Sequence, residues 1–503
     1  MPRAWFHALT GVSAREEPGV AALQLRDFAE SGPAVAELEA AAERGSEFRG
    51  RRAGALRGPA RALLFGAMSA GLLLSVAIYN GFPTLYPDTG SYLFTGAFGR
   101  ALFPFRSPGY GSFAMLTSLD RSLWFTAIAQ ALIVVFVLYE ACKDLIGGDS
   151  RFRDHCLVGT AAFLAAFSSL PWETSLIMPD VFAGIVFLSL FLLVVNAQLG
   201  WIERILLAAI SVVGVGAHAS LLPIAAAFVT IMAAVRVFGW APPEAPPVKS
   251  ALPWLVVPLL LAGCWNANLN RQMGLGFRLS PAADDFLMGR LLNDGLAADY
   301  LRANCPAKPF VVCRYIDNLP KTPEQFLFWH PLLGQMDPAG NEVRAIVRGT
   351  LAAYPLRFAW NSAKHTLRQF VQCRTGDEVR DLALHAVNGN GPVMLEIFPG
   401  DIAAYSGSKL MQGRLVELTK ILAGIDLAVF ACSLIACVYL AFSRRDEKWN
   451  WFFGSAILFL FVNAAVCATF AGVYDRYQAR VAWLIPLCLV VFVCRRVADQ
   501  QAN

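Results

Sequence analysis

Charge is scarce in this sequence. Asp, Glu, Lys and Arg make up 16% of the 503 residues, where soluble domains average about 25%. Neither sign dominates: 42 Lys and Arg against 37 Asp and Glu leave a formal charge of +5, too little to expect a nucleic acid partner. No CxxC pair and no HExxH occurs, so no structural zinc site is expected. No apolar core follows a short basic start, which argues against a cleaved signal peptide. What is abundant is apolar: 56% of the residues are hydrophobic and the mean hydropathy is +0.50. That balance excludes a disordered chain and an ordinary soluble enzyme. It predicts an all-α polytopic membrane protein.

Residues 1–60 are polar, lead into a basic run, Arg44, Arg49, Arg51, Arg52, Arg57 and Arg61, and read as a cytoplasmic tail. Apolar runs then recur near 62–82, 121–142, 155–171, 175–197, 204–220, 221–238, 251–267, 420–443, 450–472 and 477–496. A crossing needs about 20 apolar residues, so the pattern predicts about ten transmembrane helices, the fifth and sixth parted only around Pro223. With the N-terminus inside, the inner segments hold seventeen basic residues and the short outer ones five, Arg100, Arg106, Arg121, Arg476 and Arg480. The positive-inside rule therefore puts both termini in the cytoplasm. The expected organisation is a seven-helix core over 61–267 with a first outer loop at 83–120, an outer soluble domain at 268–419, and a three-helix region at 420–503.

Within 268–419, apolar residues repeat at helical spacing from Asn341 to Phe370 (Val343, Ile346, Val347, Leu351, Tyr354, Phe358) beside Arg344, Arg348, Arg357, Lys364 and Arg368. Such a basic amphipathic helix either packs inside the domain or lies on a membrane surface. Pro355 should kink or break it in both cases. Eight of the 11 cysteines fall in or beside apolar runs, where they act as small hydrophobes. Cys305 and Cys313 are left either as free thiols or as a disulfide in an oxidising compartment.

Ionisable residues at the edges of apolar runs are costly and mark function by default. On this topology Asp88, Arg106, Glu173, Asp180, His218, Asp475, Arg476 and Arg480 all fall towards the outer face, with Asp180 one to two turns into the fourth span. Asp88 and Asp180 also suit helix N-caps, His218 suits a packing role, and Arg476 and Arg480 suit interface anchors. Together, carboxylates, a histidine and arginines at one membrane face fit a reaction on a lipid-linked phosphate. The arginines would neutralise phosphate, and a carboxylate would take a proton or hold a metal.

The runs YPDTGSYL with Asp88, RSPGY with Arg106 and Tyr110, PWETSLIMPD with Glu173 and Asp180, and the late DRYQAR resemble the GT-C superfamily of integral-membrane glycosyltransferases. Within it they resemble especially the bacterial relatives of protein mannosyltransferases and aminoarabinose transferases. The resemblance covers 62–267 well and the C-terminal runs loosely. It does not extend to 1–60, and 268–419 matches no known module. It implies a multi-pass protein of the bacterial inner membrane that takes a sugar from a polyprenyl-phosphate donor to a lipid, glycan or protein acceptor. It assigns Asp88 as base or metal-holding acid, with Asp180 or Glu173 as the second carboxylate. Arg106, Tyr110, His218, Arg476 and Arg480 would bind substrate, and Asp88 with Asp180 would be the site of any divalent ion. Here the sequence departs from the common paired-acid form, because Thr89 follows Asp88. Alternative readings are a polysaccharide polymerase or ligase and a lipid-linked sugar transporter. The absence of two related halves in the sequence speaks against the transporter.

Overall fold

Ser122, Asp149 and Asp446 each cap a helix, their side chains accepting from the N–H of Trp124, Phe152 and Trp449. In the computed structural model, residues 60–101, 105–240, 242, 244–308, 310–329, 332–336, 340–376, 390–444 and 446–502 are described. The polar tail and its arginines from Arg44 to Arg57 lie outside them. The chain runs through α1 (Ala60–Leu73), α2 (Ser75–Asn80), α3 (Thr89–Phe98), α4 (Pro108–Ser118), α5 (Leu123–Leu145), α6 (Ser150–Phe167) and α7 (Leu170–Ser175). A 3₁₀ turn, Pro179–Val181, leads into α8 (Phe182–Val195), α9 (Trp201–Ala217), α10 (Leu221–Val237) and α11 (Val248–Gln272). Then follow α12 (Ala283–Asn293), α13 (Leu296–Asn304), α14 (Asn341–Ala353), α15 (Pro355–Val371) and α16 (Asn390–Ile397), with shorter turns between. The chain closes with α17 (Val416–Ser443), α18 (Glu447–Phe470), α19 (Asp475–Ala482) and α20 (Leu484–Ala502). Among the described residues there is no strand, only an isolated parallel bridge between Thr84 and Leu176.

Each apolar run is helical. Among the described residues, α5, α11, α17, α18 and the continuous stretch Asp475–Gln501 are long and apolar enough to cross a membrane. The other runs fall short of that length or composition. The first run breaks at Leu74, and the opening turns of α6 carry Arg151, Arg153 and Asp154. Helix α8 is buried at every residue, so it is apolar all round, as a helix enclosed by others must be. Its neighbours are α5, α9, α10, α11, α18 and α19, and Phe187 meets the rings of Phe191, Phe228, Phe452 and Phe459.

Residues 65–503 form one compact unit that holds two large hydrophobic cores. The larger surrounds α8. The smaller lies in the 268–419 segment, where Met288, Leu291, Leu296, Leu301, Phe326 and Ile346 pack together. There the repeat at 341–370 is split at Tyr354–Pro355 into α14 and α15. Helix α14 takes the packed role, with Val343, Ile346 and Val347 buried. Cys305 and Cys313 form a disulfide.

Candidate functional site

The first loop pairs with the extended segment that precedes the 3₁₀ turn. Thr84 donates its N–H to the Ser175 carbonyl (3.0 Å) and its own carbonyl accepts from Ile177 N–H (2.9 Å). The Thr89 hydroxyl donates to the Ile177 carbonyl (3.0 Å). This staple sets Asp88, at the head of α3, beside Asp180 in the 3₁₀ turn. Asp180 thus opens the helix rather than lying one to two turns inside it. The run from Leu170 to Ser175 closes as its own short helix, and the chain restarts at Pro179.

Neither carboxylate caps its helix; both side chains turn to arginine. Asp88 is paired with Arg106 and, at 3.5 Å, with Arg476. Asp180 is paired with Arg476 at 3.4 Å and with Arg480 at 3.6 Å. Arg476 therefore bridges the two acids, and its guanidinium lies 4.3 Å from the centroid of the Tyr86 ring. Arg480 has no exposed side-chain surface and is held in place by Asn463 Oδ1 (2.8 Å) and Ser220 Oγ (3.0 Å). Ser220 lies 2.8 Å from His218 Nδ1, so the histidine joins the same polar chain. Arg106, 5.8 Å from the centroid of the Phe328 ring, is placed by a close approach of backbones. A Cβ on Gly109 would meet the Gly216 carbonyl at 2.3 Å, and Ser107 donates to that carbonyl at 2.6 Å.

A cavity of about 530 Å³ opens against this cluster. Asp88, Arg106, His218, Arg476 and Asn266 make its polar end, and Val215, Leu222, Ala226, Leu279, Phe286, Val466 and Phe470 its apolar walls. A second, apolar groove of about 380 Å³ between α10 and α11 shares Leu222, Ala226 and Leu279 with it. The combined space is charged at one end and oily along the rest.

Not every expected residue arrives there. Asp180 is fully buried behind Arg476 and Arg480 and does not line the cavity. Tyr110 is also buried, and its hydroxyl donates to Gln130 Oε1 at 2.7 Å, which makes it part of the packing. Glu173 lines a separate crevice with Arg374, Thr375 and the other side of Arg476. Asp475 Oδ1 accepts from Arg374 N–H at 3.1 Å and does not line the cavity. Residues not expected at the site are Tyr86, Tyr92, Ser220, Asn266 and Asn463. Of these Asn463 carried a signal, a lone amide in an apolar run.

Three guanidiniums, Arg106, Arg476 and Arg480, are ion-paired with two carboxylates, Asp88 and Asp180. Among the described residues, Arg106 Nε and Arg480 Nη1 are buried donors with no hydrogen-bond partner. A divalent cation does not fit this donor set. Asp88 and the Oδ1 of Asp180 are already paired with arginine, and no group of three or more His, Cys, Asp or Glu side chains gathers among the described residues. Compared with protein-family models, with curated proteins and with solved structures, the chain matches none.

Proposed function

We propose that this chain is a polytopic membrane glycosyltransferase of the GT-C type, which moves a sugar from a polyprenyl-phosphate donor to a hydroxyl acceptor at the outer membrane face. The arginines at the polar end of an apolar cavity, Arg106 and Arg476, carry this reading. A prenyl phosphate presents one anionic head and a long apolar tail, and the cavity with its groove offers the complementary pair. Arginine suits this role because it offers several N–H donors to phosphate oxygens and stays charged in apolar surroundings.

In this reading Asp88, the acid that reaches the cavity, accepts the proton of the acceptor hydroxyl. The hydroxyl oxygen then bonds to the anomeric carbon, and the bond from that carbon to the phosphate oxygen breaks. Polyprenyl phosphate leaves with one more negative charge, which Arg106 and Arg476 stabilise where it develops. Asp180 holds Arg476 and Arg480 in position. No step passes through a metal ion.

The topology follows the ten apolar runs, with both termini in the cytoplasm of a bacterial cell and the 268–419 segment outside. Two observations support that placement. The Cys305–Cys313 disulfide suits an oxidising compartment. The ends of α5, α18 and α20 remote from the cavity carry a separate set of ion pairs, Lys448–Asp144 (3.1 Å) and Arg495–Asp446 (2.8 Å).

The test is binding of undecaprenyl phosphate, the bare leaving group, to the purified full-length protein. Arg476→Ala and Arg106→Ala are each expected to weaken it at least tenfold, the loss of about 1.4 kcal/mol. Unchanged affinity in the double variant would end the phosphate assignment.

A further inference from the structure

Helix α15 turns its polar side inward and its apolar side out. Thr366 and Gln369 are buried. Gln369 accepts from Tyr474 N–H (2.9 Å) and donates to the Tyr474 carbonyl (2.8 Å), while His365 meets Asp294 at 3.1 Å. On the opposite side Leu356, Trp360, Leu367 and Val371 are 83%, 66%, 65% and 64% exposed. Their spacing puts them in one stripe down the helix.

Arg357, Lys364 and Arg368 are exposed as well, and by helical geometry all three fall on the same flank of that stripe. Arg357 also pairs with Asp299 at 3.0 Å. At the far end of the helix, Phe370 meets Phe461 of α18 with ring centroids 6.5 Å apart. Phe461 and Phe470 are themselves about half exposed, at 47% and 50%. The stripe therefore continues into the apolar surface of a helix long enough to cross a membrane.

We propose that α15 is seated in the headgroup layer of the bilayer beside the cavity mouth. Its stripe lies on the acyl chains and its basic flank lies on anionic lipid phosphates. An exposed apolar stripe containing tryptophan and edged by Lys and Arg fits such a layer better than it fits water. The basic flank selects anionic headgroups. The Gln369–Tyr474 bonds tie the helix to the chain two residues before Arg476. The proposal rests on the membrane reading above.

The experiment reconstitutes the full-length protein into mixed phosphatidylcholine and phosphatidylglycerol vesicles. It isolates Trp360 emission as the difference between the native protein and Trp360→Phe. Bromine placed near the headgroups should remove most of that emission, while iodide in the water should not. The same bromine carried on phosphatidylglycerol should quench more than on phosphatidylcholine, and a combined Arg357→Gln, Lys364→Gln and Arg368→Gln variant should lose that preference. Quenching by iodide alone would overturn the proposal. So would protection from both quenchers, which would mean that another protein surface covers the stripe. Equal quenching by the two brominated lipids would overturn the role of the basic flank. A tryptophan introduced by Leu260→Trp, at an exposed mid-helix position on α11, is the control. Quenching there by bromine deep in the acyl chains, without quenching at Trp360, would sink the α15 proposal alone, and no quenching at either would sink the membrane reading.

Discussion

Asp88 shows how one residue's surroundings decide between two readings that sequence leaves open. As a cap, Asp88 would be replaced by Asn at little cost. Its side chain instead meets Arg106 and Arg476 and makes no cap bond. Asp88→Asn is therefore expected to keep normal protein levels and undecaprenyl phosphate binding while lowering sugar transfer about 10²–10⁴-fold, the range for a lost general base. Matched transfer and binding assays check this, and an active Asn variant would remove the base assignment. Arg480 has a different fate. Its removal leaves Asp180 buried with one fewer counter-charge, so Arg480→Ala is expected to cost about 3–5 kcal/mol of stability, read as a lower unfolding temperature in detergent. The acids and arginines of this cluster were legible in the sequence because charge is rare there. The burial of Tyr110 is not legible there, because its partner, Gln130, lies inside an apolar run whose inward side only the fold reveals.

At the scale of elements, apolar length announced the helices, but their ends depended on distant partners. The Thr84–Leu176 bridge joins segments that no local pattern links. The RSPGY turn depends on bare backbone in the same way. A Gly109→Val variant would drive a methyl-bearing carbon into the Gly216 carbonyl and is expected to abolish accumulation of folded protein. Gly71→Ala, where nothing lies within 4 Å, should leave folding unchanged by the same solubilisation assay. In α12, burial, aided by neighbouring Asp284, pushes the Asp285 carboxyl up to about 6. The folded state thus favours the protonated acid. The resulting penalty on folding builds as the pH rises from about 4 to about 6, is complete above that, and vanishes below about pH 4, where the unfolded chain is protonated too. Asp285→Asn is accordingly expected to raise the unfolding temperature at pH 7 and to give no gain below pH 4.

Across the whole molecule, composition announced a helical, apolar protein, and the five long helices agree with a membrane setting. The charged cluster draws on the first loop, the Ser220 turn, the 3₁₀ turn and α19, brought together from distant parts of the chain. A list of outward residues therefore includes Glu173, whose crevice lies apart. The proposed topology makes a direct forecast. A reporter active only outside the cytoplasm should work when fused after Gln272 and fail when fused after Ser443. Reversed signals would overturn both the placement of 268–419 and the outer-face assignment of the cavity.

The groove between α10 and α11 also bears on how turnover should be measured. On the proposed chemistry, donor arrives and spent carrier departs sideways, within a two-dimensional fluid. The quantity that saturates the protein is then the donor's mole fraction among neighbouring lipids, not its molarity in the tube. Diluting a fixed amount of donor with inert lipid should slow transfer even though every solution concentration stays constant.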